Sequence, residues 1–483
     1  MAQQMIPSEF FGKWQALLEL PLREHRTILE VVDRPGEEPT GFLSFVQSPD
    51  MGSERMPFEQ VRFENGELHA RVHEHLNLHC VLAGDGSTLE GTIEFSRGSR
   101  PLVFQRRHPD FRRFELPRLT NEQERQREYT YTRPPQLDDG WETSTPAAEG
   151  IAPEAIHAMG ESILNGAYEK QKSVLIVRNG RLCVEEHFYG SRREHVCMVQ
   201  SVTKSVTSMV FGIAVDRGIV PGIDAPVHRF FPEHAQRKWI REQYPINVRH
   251  LLTMSAALEW NETSSYLDRT NDNTAMNRSG DWIGYTLDRN RAGMPGEAFS
   301  YTSGLSILLG GILKNASGRY VDELAREYLF EPLGIDNWEW VTDDDGTRHT
   351  GGGLRIRPRD LAKLGQVMLD GGVWRGRRVL SESWIRESTS RYLTTVRPEG
   401  EFGYGYQWWL ATHRVAGHTF ETFTGRGYGG QRIEVIPELS LVVVLTADDY
   451  EGDRARTDTL MRNHVVPAAQ RMSPKSNWSR TNV

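Results

Sequence analysis

Between residues 10 and 108 the apolar positions come in short runs, broken by turn residues at near-regular intervals. The runs cover 14–20, 27–32, 41–46, 60–63, 68–72, 78–82, 89–95 and 102–105, and Pro35-Gly36, Asn65-Gly66, Gly84-Asp-Gly86 and Arg97-Gly98 separate several of them. Successive side chains of a strand point to opposite faces, so short strands with this punctuation predict a small antiparallel barrel or sandwich. His69, His73, His75 and His79 occupy odd positions in this block and could share strand faces. Metal binding is one reading of them, and a solvated polar face is the plainer one. No cluster in the block resembles a catalytic site.

From about 106 to 148 the pattern is lost in a charged and proline-rich stretch, read as a linker between domains. From 149 onward strands and helices mix. The runs 173–178 and 181–185 flank Asn179-Gly180, a strong hairpin signal. A buried helix opens at Ser201, and a mostly helical and loop region continues to about 395. Strands return at 419–424, 431–436 and 439–446, before a helix over about 453–470. The first and last strands of this domain are expected to share one antiparallel sheet, with a helical insertion between them. The fold class is α+β, and the divisions are a β module over 1–105, a linker over 106–148, a second domain over 149–471 and a tail over 472–483.

Composition narrows the function. The chain has 483 residues, 38% of them hydrophobic, with 12 tryptophans, enough for a sizeable core in two or three domains. Net charge is -8 with the signs interspersed, so neither nucleic acid nor an anionic membrane is an expected partner. Three cysteines, Cys80, Cys183 and Cys197, show no metal spacing and suit a reducing compartment. The first residues lack the basic and apolar regions of a signal peptide. The longest apolar stretch, 305–313, is too short to span a bilayer. A cytoplasmic protein is the expectation.

The chemistry concentrates in three places. Ser201-Val-Thr-Lys204 is the only Ser-x-x-Lys in the chain, at the start of the run Val202, Val206, Met209, Val210, Ile213 and Val215. Residues three apart share a helix face, so hydroxyl and amine point at one spot. A serine becomes a nucleophile when a base takes its proton, and a desolvated lysine can be that base. Tyr301, in Pro295-Gly-Glu-Ala-Phe-Ser-Tyr-Thr-Ser-Gly304, could relay protons beside them. The glycines of Thr424-Gly-Arg-Gly-Tyr-Gly-Gly-Gln431 permit close backbone approach, as an oxyanion hole requires, although an ordinary bulge or turn is the alternative.

With these stretches assembled, the chain resembles the serine β-lactamase-like superfamily, which includes class C β-lactamases, DD-peptidases, family VIII carboxylesterases and nylon-oligomer hydrolases. The resemblance runs from about 129 to 469 and includes Ser173-Val-Leu-Ile-Val-Arg-Asn-Gly180, Val248-Arg-His-Leu-Leu-Thr-Met254, Pro358-Arg-Asp-Leu-Ala-Lys-Leu-Gly365 and Gly405-Tyr-Gln-Trp-Trp409. It implies a β-lactamase/transpeptidase-like domain, with an antiparallel sheet, flanking helices and a helical subdomain. The first 108 residues lie outside it and look like a small lipocalin-like module. Carried over, Ser201 would be the acylated nucleophile, Lys204 its base, and Tyr301 the tyrosine of a Tyr-x-Asn motif. Ser303 would be that motif's third position. Gly425-Arg426-Gly427 would match Lys-Thr-Gly, with Gly427 beside the substrate and the Ser201 and Tyr428 N–H groups as oxyanion donors.

Two departures matter. Ser303 replaces asparagine, and Gly425 replaces the lysine that helps hold a substrate carboxylate in β-lactamases. Strand alternation should turn Arg426 to the opposite face. These changes favour a small-molecule ester or uncharged amide over a charge-anchored β-lactam. The resemblance implies a serine hydrolase with no metal or organic cofactor. An acyltransferase or D-peptidase using the same acyl-enzyme is the alternative, followed by a penicillin-binding-like sensor that does not turn over. Trp260, Trp282, Tyr404, Trp408 and Trp409 flank the site in relatives but are read as scaffold. The β module could mediate a homodimer, bind a ligand or cover the site.

Overall fold

The computed structural model describes residues 6–20, 23–32, 40–46, 54–73, 76–84, 86–95, 98–106, 128–234, 245–264, 266, 268, 270–343, 345–397, 400–450 and 455–470. They divide between two compact units, 1–118 and 119–483.

The first unit is a nine-stranded antiparallel sheet. Its strands are β1 (Gly12–Leu20), β2 (Arg23–Val32), β3 (Thr40–Val46), β4 (Glu54–Pro57), β5 (Gln60–Glu64), β6 (Glu67–His73), β7 (Leu76–Leu82), β8 (Thr88–Phe95) and β9 (Gly98–Gln105), in the order β4-β3-β2-β1-β9-β8-β7-β6-β5. The two edges, β4 and β5, are consecutive in the chain. Between them the Phe58 N–H donates to Gly41 O of β3 and the Glu59 N–H to Arg71 O of β6. The sheet therefore curls on itself into a barrel-like module with its seam at residues 58–59. Alternation fills the interior: Trp14, Ala16, Leu29, Val31, Leu68, Ala70, Leu78, Cys80, Leu102 and Phe104 are all buried. Burial pushes the Cys80 thiol up to about 12, so it stays protonated.

His69 and His79 face outward as a cross-strand pair, with their Nδ1 atoms 2.6 Å apart. Glu67 and Glu94 stand 3.5 and 3.4 Å from the two Nε2 atoms. The His73 side chain and His75 lie outside the described residues. Among the described residues no three histidine, cysteine or carboxylate side chains are grouped so as to hold a metal ion.

The second unit is a three-layer sandwich. Its sheet contains β10 (Gln171–Arg178), β11 (Arg181–His187), β12 (Leu393–Arg397), β13 (Gly400–Tyr404), β14 (Trp409–Val415), β15 (His418–Gly427), β16 (Gln431–Ile436) and β17 (Leu441–Ala447), with a short edge strand at Glu142–Thr143. From that edge the order is β11-β10-β17-β16-β15-β14-β13-β12. The first and last strands of the domain, β10 and β17, do pair antiparallel. Asn179 and Gly180 both take positive φ, 53° and 76°, which matches the right-handed twist of the hairpin they close.

The two central strands are apolar on both faces, and each face joins a different core. Val174, Ile176, Val443 and Leu445 pack with the helix α1 (Pro153–Leu164) and the C-terminal residues Leu460–Ala469. Leu175, Val177, Val442 and Val444 pack with α2 (Val202–Asp216), α3 (Ser303–Ser317) and α4 (Pro358–Leu369). A Cβ on Gly365 of α4 would stand 2.5 Å from Val442, so helix and sheet meet as closely as glycine permits. Arg359 of α4 ties this layer across the sheet edge to Glu185 at 2.7 Å and Asp139 at 2.5 Å.

Part of the stretch read as a linker, 106–148, is packed into the second unit. Residues 107–127 lie outside the described ones, while Tyr129 and Trp141 are buried in the second unit. Tyr129 packs on Gly160 of α1, and Trp141 Nε1 donates to Arg359 O at 3.2 Å. These anchors are single aromatics inside a polar stretch, and they leave no periodicity to read. The strands β12 to β14 fill the stretch between about 395 and 419, for which the pattern predicted no element. The expected tail at 472–483 lies outside the described residues. No helix among the described residues is long and apolar enough to cross a membrane.

Candidate active site

Ser201 caps α2 at its N-terminus, directly after Gln200, which is held at a φ of 49°. That turn starts the helix abruptly: Val202, Thr203 and Lys204 N–H groups donate to Val199, Gln200 and Ser201 carbonyls at 3.1, 2.9 and 3.1 Å. Every residue from Val202 to Ala214 is buried. α2 is therefore an internal helix whose polar side chains need polar partners. Ser205 Oγ donates to Gln407 O at 2.7 Å, Thr207 Oγ1 to Thr350 O at 3.0 Å, and the Leu354 N–H to Thr203 Oγ1 at 3.1 Å. These bonds pin the helix to two loops that flank the site.

Lys204 is 2% exposed, and its Nζ lies 3.1 Å from Ser201 Oγ. A second hydrogen bond runs from Nζ to Gly351 O at 2.5 Å. Among the described residues no carboxylate lies within ion-pair distance of Nζ. Tyr301, half-buried, presents its ring with Nζ 5.0 Å from the centroid. It stacks on Trp409, with centroids 5.6 Å apart and planes 23° from parallel. The described residues give the Tyr301 hydroxyl no hydrogen-bond partner, so it is available to a ligand. The structure thus brings Ser201, Lys204 and Tyr301 together.

The strand end at 425–428 closes the other side. A Cβ on Gly427 would sit 2.4 Å from Val199 O and 3.1 Å from Gln200 Cβ. A Cβ on Gly425 would meet Ser205 Oγ at 2.9 Å and Val202 Cγ1 at 3.1 Å. Both glycines let β15 lie flat against the turn and first helical turn that carry Ser201 and Lys204. That contact gives Gly427 a packing role, and the residue also lines the cleft. Tyr428 lines the cleft, and its hydroxyl donates to Tyr450 O.

Ser303 does not present its hydroxyl freely. It is 2% exposed at the first residue of α3, and both its N–H and its Oγ donate to the Glu262 carboxylate, at 2.8 and 2.6 Å. Trp260 Nε1 and the Tyr266 hydroxyl donate to the same carboxylate at 2.7 and 3.2 Å. Arg426, expected on the opposite face, does go there in part: its guanidinium is paired with Asp458 at 3.1 and 2.7 Å. Its side chain nevertheless forms part of the cleft wall.

Several residues of the site were not visible in the sequence pattern. The loop His349-Thr-Gly-Gly-Gly353 supplies the carbonyl that holds Lys204. The His349 ring packs edge-on against Trp282, donates from Nε2 to Asn277 Oδ1 at 3.0 Å, and is kept neutral by burial and by Lys204, which together push it down to about 4. Three successive glycines were the available signal. Glu262, Arg397 and Trp409 also line the cleft, with Phe402 and Gln431. Trp409 is therefore part of the site and not only scaffold, while Tyr404 and Trp408 are buried beneath it.

Residues 163–466 match the family model described as β-lactamase, nearly two thirds of the chain. The chain belongs to the β-lactamase family. Among curated relatives of this family member is the 6-aminohexanoate-dimer hydrolase of Paenarthrobacter ureafaciens, 29% identical over 292 residues, covering 56% of this chain and 70% of the relative. Two solved structures share the fold. EstCE1, described as a hydrolase with promiscuous acyltransferase activity, has a TM-score of 0.55 at 16% identity, covering 66% of this chain and 99% of its own. A family VIII carboxylesterase has a TM-score of 0.51 at 16% identity, covering 67% and 98%. The β module of this β-lactamase-family chain lies outside the matched residues.

Proposed function

We propose that the chain is a serine hydrolase acting through an acyl-enzyme on carboxylic esters or simple amides. The observation that carries this reading is the buried Lys204 Nζ, 3.1 Å from Ser201 Oγ and hydrogen-bonded to a neutral carbonyl instead of a carboxylate. Nζ donates to both Gly351 O and Ser201 Oγ, which sets the amine in line to exchange a proton with the serine hydroxyl. Among the described residues no carboxylate lies within ion-pair distance of this amine.

In the first half-reaction Lys204 accepts the Ser201 proton as Oγ bonds to the substrate carbonyl carbon. Negative charge on the carbonyl oxygen meets the N–H groups of Ser201 and Tyr428. The intermediate collapses, the bond to the leaving alcohol or amine breaks, and a proton reaches that group through Tyr301. In the second half, water attacks the acyl-enzyme, its proton passes to the same base, and Ser201 leaves with a proton as the acid is released. Similarity to a 6-aminohexanoate-dimer hydrolase at 29% identity supports a hydrolase reading.

The test is a panel of p-nitrophenyl esters, linear amides, D-peptides and a chromogenic cephalosporin. Ester or amide turnover that is lost in Ser201→Ala supports the reading. Acylation with no turnover of any substrate would instead identify a sensor.

A further inference from the structure

The cleft wall carries four charged side chains, Glu262, Arg397, Arg426 and Arg432. Three of them are compensated by protein groups. Arg426 is chelated by Asp458, and Arg432 is shared between Asp458 and Glu434, with 2.7 Å to the latter. Those two guanidiniums and two carboxylates balance. The Glu262 carboxylate accepts from four donors: the Ser303 N–H, the Ser303 hydroxyl, Trp260 and Tyr266. A carboxylate offers about four lone-pair sites, so none is left for a ligand.

Arg397 differs. It ends β12 at the sheet edge, half-buried, with its guanidinium 4.4 Å from the Trp409 ring centroid and 5.5 Å from that of Tyr301. Among the described residues it has no acidic partner and makes no hydrogen bond. Packing against two aromatic rings orients the planar fork while its N–H donors meet no acceptor among the described residues, and such a fork matches a carboxylate in two parallel hydrogen bonds. Tyr301 and Trp409 are walls of the cleft that contains Ser201, so a group that reaches Arg397 belongs to a molecule bound there. A cation at 425 has no room beside Val202 and Ser205. The positive charge enters from the opposite strand edge instead.

We propose that Arg397 is a specificity-determining residue that anchors a free carboxylate of the substrate, so that preferred substrates are anionic esters or amides such as dicarboxylic half-esters. This rests on the hydrolase reading above and replaces its expectation of an uncharged substrate. The test compares mono-p-nitrophenyl adipate with its methyl ester, which differ only in the distal charge. Wild type is expected to prefer the anionic ester, and the preference should shrink with added salt. Arg397→Met keeps the apolar stem, and the ratio of the two kcat/KM values should fall about ten- to a hundred-fold, mainly through KM. Arg397→Lys should recover part of it.

Calorimetry with adipate on the intact chain gives an independent reading: binding to wild type, at least tenfold weaker to Arg397→Met. Equal losses on both esters, no preference in wild type, or adipate binding that is absent or unaffected by the substitution would overturn the proposal. If neutral and anionic esters are both hydrolysed with Ser201 dependence but without preference, the hydrolase reading stands and this inference falls. If neither ester is hydrolysed, the hydrolase reading falls and adipate binding still decides the role of Arg397.

Discussion

Gly427→Ala tests the packing that assembles the site. The residue is not among the glycines with positive φ, so alanine is conformationally acceptable there and the effect is steric. Its Cβ would lie 2.4 Å from Val199 O, the carbonyl that accepts the first N–H of α2. An ordinary C···O contact is about 3.3 Å or more, so strand and turn must part by roughly 0.9 Å, scaled from carbon–carbon contacts near 3.5–4.0 Å. Overpacking of this kind costs about 1–3 kcal/mol in stability. The catalytic cost should be larger than the stability loss explains. Moving the Tyr428 N–H by nearly 1 Å relative to Ser201 takes one of the two proposed oxyanion donors out of hydrogen-bond range, worth about 10²–10³ in kcat. The assay is steady-state kinetics on p-nitrophenyl butyrate, with the melting temperature and near-UV circular dichroism as checks on folding. A folded Gly427→Ala protein whose kcat is within about threefold of wild type would refute the reasoning. Gly425→Ala is the comparison: its nearest polar contact is the rotatable Ser205 Oγ at 2.9 Å, so it should lose stability with a smaller loss of kcat.

Other outcomes follow from the same geometry. Lys204→Met keeps the volume of the buried side chain but removes the proposed base, and kcat should fall about 10²–10⁴-fold with the fold retained, read by ester turnover and thermal melting. The neutral form of His349 is favoured in the folded chain, with its protonation pushed down from an ordinary 6.5 to about 4. The unfolded chain therefore takes a proton first as pH falls, and this contribution to stability is lost between pH 6.5 and 4, by up to about 3 kcal/mol. Urea unfolding of wild type and His349→Gln should show a difference that shrinks by that amount from pH 7 to pH 4; a constant difference would contradict it. Trp409→Ala removes the face on which Tyr301 stacks, and kcat should fall at least tenfold, whereas Trp409→Phe should keep most of it.

Local signals in the sequence carried much of the fold and the juxtaposition of Ser201 with Lys204. Asn179-Gly180 announced a hairpin because the turn demands positive φ at both residues, and the unbroken apolar runs of β10 and β17 belong to strands covered on both faces. Ser201 and Lys204 were readable because three residues on a helix are neighbours in space. What the pattern missed depends on contacts between distant segments. Glu262 reaches Ser303 across 41 positions, so a hydroxyl that looked available for substrate is occupied. Lys204 finds Gly351 across 147 positions, and a run of glycines alone does not say what its carbonyls will meet. Arg397 sits on β12, a strand with partly exposed faces and no clear alternation, and only the folded sheet sets it against Trp409. Gly427 was read as a recognition residue because a glycine-rich strand suggests ligand approach. The close neighbour is the protein's own turn at Val199.

The central claim is that Ser201 is the residue acylated during turnover. Intact-mass spectrometry after treatment with a fluorophosphonate, followed by peptide mapping, measures it directly. One adduct per chain is expected, located on Ser201, formed much more slowly in Lys204→Met and absent from Ser201→Ala. An adduct on another residue, or equal labelling of wild type and Ser201→Ala, would contradict it.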